Sequence, residues 1–139
     1  MQLNPYQRNY LTVALYSFEE TLRLASEWIN NEKSEKGILY NRDIDVSPER
    51  KQAANQLIEQ ALSKIHSVTN DLELHKKQED VARLIIARMN SSWEELSDSH
   101  SAQLKSYGDV DPDLASYLDP NIELLATMAI DLANLFSNT

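Results

Sequence analysis

Each of the four prolines in the sequence follows a residue that is well suited to cap the N-terminus of a helix. Proline is favoured at the first helical position, where a backbone N–H would have no partner inside the helix. The side chain of Asn, Ser or Asp just before it can accept a hydrogen bond from an N–H of the first turn. We therefore predict a helix start at each of these dipeptides, which are Asn4-Pro5, Ser47-Pro48, Asp111-Pro112 and Asp119-Pro120.

The spacing of apolar residues also predicts helices. Along four stretches they recur at intervals of three and four residues, which is the spacing of one helix face. No stretch alternates apolar and polar residues for long enough to predict a strand. We predict four main helices at about 5–30, 48–75, 79–107 and 120–137, a short helical turn at 112–118, and a helix stop at Gly108.

These elements predict an all-α fold, a single-domain up-and-down four-helix bundle over residues 1–139 with a long first connection. A chain of 139 residues has the length of one domain. It contains no cysteine, which excludes disulfides and thiol chemistry. The sequence shows no signal-peptide pattern and no apolar run of about 20 residues, so we expect a cytoplasmic protein that does not span a membrane.

The chain is acidic, and its charged residues are unevenly distributed. The net charge is −9, and all 13 basic residues lie before residue 109. Acidic chains repel phosphate groups, so we expect no binding to nucleic acid or to anionic membranes. We expect the acidic segment 109–123 to contact a basic protein partner. The acidic residues after residue 108 are Asp109, Asp111, Asp113, Asp119, Glu123 and Asp131.

The last predicted helix is apolar over most of its circumference and has only a narrow polar stripe. In a four-helix bundle, neighbours normally cover one side of each helix, so this helix needs a further covering surface. Because two-fold dimers are the commonest oligomers, we predict a homodimer. The predicted interface residues are Leu124, Met128, Leu132 and Leu135.

The connection 31–46 is long for a bundle loop and rich in apolar residues. One interpretation is a flap that covers the bundle; the other is a lid over a ligand site. Aromatic residues of the bundle and the loop would line such a pocket, and an arginine would favour an anionic ligand. The candidate pocket residues are Trp28, Tyr40, Arg42, Trp93 and His100.

The sequence contains no motif that predicts catalysis. The run Asp109-x-Asp111-x-Asp113 resembles the start of a calcium loop, but Leu114 and Pro120 replace its required glycine and glutamate. We predict no catalytic, cofactor-binding or metal-binding residue. The leading functional hypothesis is therefore a non-enzymatic protein-interaction or regulatory module. The alternative is a ligand-binding or enzymatic bundle with an anionic-ligand pocket under the 31–46 loop.

Overall fold

Helices make up most of the chain that the computed structural model describes, which is residues 1–31 and 35–137. The predicted all-α fold is confirmed. The α-helices are α1 (Pro5–Asn30), α2 (Pro48–Asp71), α3 (Val81–Ser97), α4 (Ser101–Leu104) and α5 (Leu114–Ser137), with a 3₁₀ turn at Lys105–Tyr107. Within the described residues, the strands are β1 (Glu35–Lys36) and β2 (Asn41–Arg42).

The first two helices begin where their proline signals predict. At the start of α1, the Asn4 side chain accepts a hydrogen bond from the Gln7 backbone N–H at 2.8 Å. The Gln7 side chain accepts one from the Asn4 N–H at 2.9 Å, which completes a capping box. At the start of α2, the Ser47 hydroxyl accepts a hydrogen bond from the Arg50 N–H. Helix α1 also ends at residue 30, as predicted.

Helix α2 ends four residues before the predicted boundary at 75. Its last turn closes with Glu73 in the left-handed region, at φ 54°. The Glu73 N–H donates to the Asn70 carbonyl at 3.2 Å, and the Leu74 N–H donates to the Thr69 carbonyl at 2.9 Å. These two bonds form a Schellman motif, which ends a helix even when the left-handed residue is not glycine.

The predicted helix 79–107 is interrupted, and this prediction is corrected. Helix α3 stops at Ser97, and the chain resumes helical structure only at α4. Between them, the Ser99 hydroxyl donates to the Glu95 carbonyl and the His100 Nδ1 bonds the Ser97 carbonyl at 2.8 Å. Such side-chain bonds compete with the backbone bonds of a continuing helix. The predicted stop at Gly108 is confirmed, with φ 145° there.

The predicted turn 112–118 and helix 120–137 are one continuous helix, which is a second correction. Pro120 lies inside α5 rather than at its start. It interrupts the backbone bond to the carbonyl of Ser116, an exposed residue, so water can satisfy that carbonyl. Asp119 therefore does not cap its own helix. Its carboxylate instead accepts hydrogen bonds from the N–H and hydroxyl of Ser101, at 2.8 and 2.9 Å.

The described residues form two compact units, Met1–Lys76 and Lys77–Thr139. In the first, α1 and α2 pack as an antiparallel pair. The Arg8 guanidinium donates to the carbonyls of Leu72 and Glu73 at one end of the pair. Near the other end, the amides of Asn30 and Asn55 exchange two hydrogen bonds of 3.0 Å. The buried apolar residues of this unit are Leu22, Ile58 and Leu74.

The second unit is built on the packing of α3 against α5, with α4 also against α5. The α5 residues buried there are Ala126, Ala129 and Ala133, and small side chains allow two helices to approach closely. In both units consecutive long helices pair, as an up-and-down arrangement requires. The extent of a single domain over 1–139 stays a prediction.

The long connection between α1 and α2 contains a short antiparallel hairpin in which Glu35 pairs with Arg42. The Gly37 N–H donates to the Tyr40 carbonyl at 2.8 Å, and the Tyr40 ring covers Gly37. A Cβ on Gly37 would lie 2.5 Å from that ring. The tip residues Ile38 and Leu39 are fully exposed, at 101% and 95%. These two side chains therefore cover no other described part of the chain, and the flap over 31–46 stays a prediction.

Candidate functional site

Helix α5 presents two different apolar faces. Its alanines at positions 126, 129 and 133 are buried. At about 100° per residue, a second apolar face begins beside these alanines and extends round the helix to the polar stripe. We call this second face the α5 arc. Its residues are Leu124, Leu125, Met128, Leu132, Leu135 and Phe136.

The α5 arc is exposed along its whole length. Leu124 is 54% exposed and Leu135 is 74% exposed, and the other four residues are exposed to between 37% and 49%. Six such side chains present a patch on the order of 500 Å², which is the size of the largest apolar patch on a typical monomer, and such patches are often functional. All four predicted interface residues, Leu124, Met128, Leu132 and Leu135, belong to this exposed arc.

The spacing within the arc is that of a helix–helix seam. Leu125, Met128, Leu132 and Leu135 follow one another at intervals of three, four and three residues. This is the a/d spacing of a coiled-coil heptad, in which each side chain fits between residues of a facing helix. The α5 arc therefore has the geometry to accept another helix.

Acidic groups lie beside the α5 arc on the same helix. Asp131 is at the edge of the arc, Glu123 lies further round, and both are exposed. The Glu123 carboxylate lies 3.8 Å from the His100 Nε2. Because α5 has no basic residue, these carboxylates make the rim of the arc acidic.

The Ser101–Asp119 contact ties α4 to α5 at the upstream end of this helix. Ser101 is buried, and its backbone N–H and hydroxyl both donate to Asp119. The hydrogen bond from the Ser101 backbone N–H lowers the pKa of Asp119, burial opposes this, and the Ser101 hydroxyl and nearby His100 lower it further. The contact is structural, since both groups are occupied by each other.

A second candidate site lies where the hairpin meets the end of α1. The guanidinium of Arg42 lies 4.5 Å from the centroid of the Tyr40 ring and 5.6 Å from that of Trp28. It also forms an ion pair of 2.7 Å with Glu35, the residue opposite it in the hairpin. The hydrogen bond with Glu35 is the main cause that raises the pKa of Arg42. The structure therefore brings Trp28, Tyr40 and Arg42 together.

An open cavity of about 300 Å³ lies beside this cluster. Sequence reasoning missed several of its lining residues, because Glu35 and Asp43 enter the site only through the hairpin pairing. Gly37 was the available signal, since a glycine three residues before Tyr40 favours a tight turn. The lining residues are Trp28, Asn31, Glu35, Arg42, Asp43 and Ile44.

The other two predicted pocket residues, Trp93 and His100, belong to the second unit. Trp93 is on α3 and is 43% exposed. His100 precedes α4, and its Nδ1 bonds the Ser97 carbonyl at 2.8 Å. Their membership of one pocket with Trp28 stays a prediction.

The described residues show no group of three or more His, Cys, Asp or Glu side chains that could hold a metal ion. Within the same part of the chain, no helix is long and apolar enough to cross a membrane. Comparison with protein families, with curated proteins and with solved structures finds no match to this chain.

Proposed function

We propose that the protein is a non-enzymatic interaction module that assembles as a homodimer through the α5 arc. The observation that carries this proposal is the exposure of the arc, from Leu124 to Phe136, on a helix whose alanine face is already packed. Burial of apolar surface contributes about 25 cal/mol per Å², so an exposed arc of this kind gives a partner helix a substantial driving force.

A second copy of the chain is the occupant that the arc fits best. A two-fold interface places the same patch on both subunits, so the seam from Leu125 to Leu135 would face an identical seam. Matching heptad spacing on both sides allows each side chain to pack between residues of the other helix. A stable dimer buries about 800 Å² per partner, and the arc would supply the apolar centre of such an interface.

The charge of the chain does not prevent this assembly. Each chain carries a net charge of −9, but exposed charges more than about 8 Å apart are largely screened at physiological salt. On α5, Glu123 and Thr127 lie on the polar side of the helix and Asp131 lies at the edge of the arc, so all three are away from its centre. Repulsion therefore weakens the dimer without opposing its central contacts.

The acidic segment 109–123 gives the module a second contact surface, which we propose for a basic protein partner. Asp109 and Asp113 are exposed, and no ion pair within the described residues engages them. Asp119 is excluded from this role because it holds Ser101. The contact would be dominated by charge, so its association rate would fall steeply as salt increases.

Sedimentation equilibrium at tens of micromolar protein tests the homodimer. We expect the mass of two chains for the natural sequence and of one chain for Leu124→Glu. Thr127→Glu is the matched control, because it adds the same charge on the polar side of α5 and should leave the dimer intact. A single-chain mass for the natural sequence, or equal dissociation by both variants, would refute the α5 arc as the interface.

A second candidate function is small-ligand binding beside the hairpin. The specific observation in its favour is the cavity lined by Trp28 and Arg42. It is independent of the α5 arc, so one chain can carry both functions. Which ligand chemistry this cavity favours follows from its charges.

A further inference from the structure

The positive charge in the hairpin cavity is already matched. Arg42 forms its 2.7 Å ion pair with Glu35, and Asn31 also donates to Glu35 at 3.3 Å. An anionic ligand would have to compete with Glu35 for the guanidinium. The arginine therefore does not provide the free positive charge that the sequence suggested.

Among the described lining residues, the charge that remains is negative. Glu35 and Arg42 cancel, and Asp43 adds one further carboxylate to the lining. Within the described residues, no hydrogen bond or ion pair engages Asp43. A ligand with a single positive charge would balance this carboxylate.

The aromatic wall of the cavity also suits a cation. The Trp28 side chain is 43% exposed and lines the cavity, with Ile44 as an apolar neighbour. The negative face of an indole ring attracts cations, and tryptophan is the most effective aromatic residue for this purpose. Arg42 itself shows the preference, because its guanidinium already lies over the Tyr40 ring and near Trp28.

We propose that the hairpin cavity binds a small organic monocation, such as a methylated ammonium or guanidinium compound, between the Trp28 ring and the Asp43 carboxylate. A cavity of about 300 Å³ is at the lower end of the range for small-molecule sites, so the ligand is a compact one. Arg42 and Glu35 keep their ion pair and brace the hairpin that positions Asp43.

Tetramethylammonium chloride is a suitable probe, because it carries one positive charge and cannot form a conventional N–H hydrogen bond. Its binding can be followed by the NMR shift of the Trp28 indole N–H, assigned by comparison with Trp93→Phe. Titration is done at constant ionic strength, and potassium phosphate serves as the anionic counterpart. We expect a saturable shift with tetramethylammonium and none with phosphate.

Asp43→Asn should weaken the binding of tetramethylammonium at least fivefold, because it removes the unmatched carboxylate. Asp45→Asn is the control, since Asp45 is exposed in the same connection and does not line the cavity. The remaining backbone N–H shifts report whether each variant keeps its fold. Equal weakening by both variants, saturable phosphate binding, or no saturable response to tetramethylammonium would each overturn the proposal. None of these results depends on the α5 dimer.

Discussion

At the scale of single residues, Glu73 is the clearest case of a backbone conformation that the side chain opposes. Its φ of 54° closes the Schellman motif after α2, where glycine is the usual residue. The motif is retained because its neighbours hold it. Leu74 is buried directly after it, and the Glu73 carbonyl accepts a 2.8 Å hydrogen bond from Arg8.

Glu73→Gly should therefore stabilise the protein by about 1 kcal/mol, since glycine adopts the left-handed region without the clash of a Cβ. The free energy of unfolding from urea denaturation measures the effect. Glu73→Ala keeps the Cβ and should give no comparable gain. An equal gain from both substitutions would show that removal of the glutamate charge, rather than relief of the backbone, is the cause.

Asp119 has a structural role that its position in the sequence does not predict. It lies next to Pro120, where a cap for α5 was expected, yet it binds Ser101 at the start of α4. Its pKa is lowered in the folded protein, mainly by the hydrogen bond from the Ser101 backbone N–H. The ionised carboxylate is therefore bound more favourably in the folded state than in the unfolded one.

A lowered pKa gives Asp119 a stabilising contribution that is complete above the ordinary carboxyl pKa of about 4. This contribution is lost as the pH falls through the lower pKa of the folded state. We expect Asp119→Asn to be less stable than the natural sequence at pH 7, and the difference to shrink below about pH 4. Thermal unfolding measured at pH 7, 5 and 3 tests this. A difference that stays constant over this range would contradict the role of the charge.

At the scale of whole elements, α5 shows how a helix accommodates a proline in its interior. Pro120 lies in its second turn, with six helical residues before it, and the helix runs on to Ser137. The lost bond concerns the carbonyl of Ser116, and Asn121 donates its side-chain amide to the neighbouring Tyr117 carbonyl at 2.8 Å. The second turn is thus held partly by side chains.

Pro120→Ala should restore the backbone bond to Ser116 and stabilise the protein by about 1–3 kcal/mol. The midpoint of urea unfolding is the measurement. Pro48→Ala is the control, because Pro48 occupies the first position of α2, where its missing N–H interrupts no helical bond. If Pro48→Ala stabilised the protein equally, the gain would not come from the interior of α5.

At the scale of the whole molecule, the proposed dimer combines an apolar interface with strong like charge. Two chains of net charge −9 repel each other, and this repulsion is screened by salt. The apolar contacts of the α5 arc do not depend on salt in this way. Salt should therefore strengthen the dimer.

We expect the dissociation constant to fall several-fold between about 20 and 150 mM NaCl, where the screening length shortens to about 8 Å. Sedimentation velocity across a dilution series at each salt concentration measures it. A basic protein bound to segment 109–123 should respond in the opposite direction, since salt weakens the attraction of unlike charges. Weaker self-association at higher salt would indicate an interface held by ion pairs instead of the α5 arc.

The sequence by itself determined those features of the protein that depend on interactions between residues close together in the chain. Asn4-Pro5 and Ser47-Pro48 start helices because the cap and the proline act within one turn. The spacing of apolar residues on α5 predicted a helix that is apolar over most of its circumference, since the helical period alone places Leu124, Met128 and Leu132 together. The position of Gly108 as a helix stop is similarly local.

Only the tertiary structure determined which partners the capping and charged residues bind. Asp119-Pro120 has the local chemistry of a helix start. In the structure, however, Asp119 accepts a hydrogen bond from Ser101, 18 residues away, and α5 continues through Pro120. The hairpin places Glu35 in the cavity beside Arg42, and the ion pair between them neutralises the charge of the arginine. These outcomes depend on contacts between distant parts of the chain, and a local pattern carries no information about the energy of such contacts.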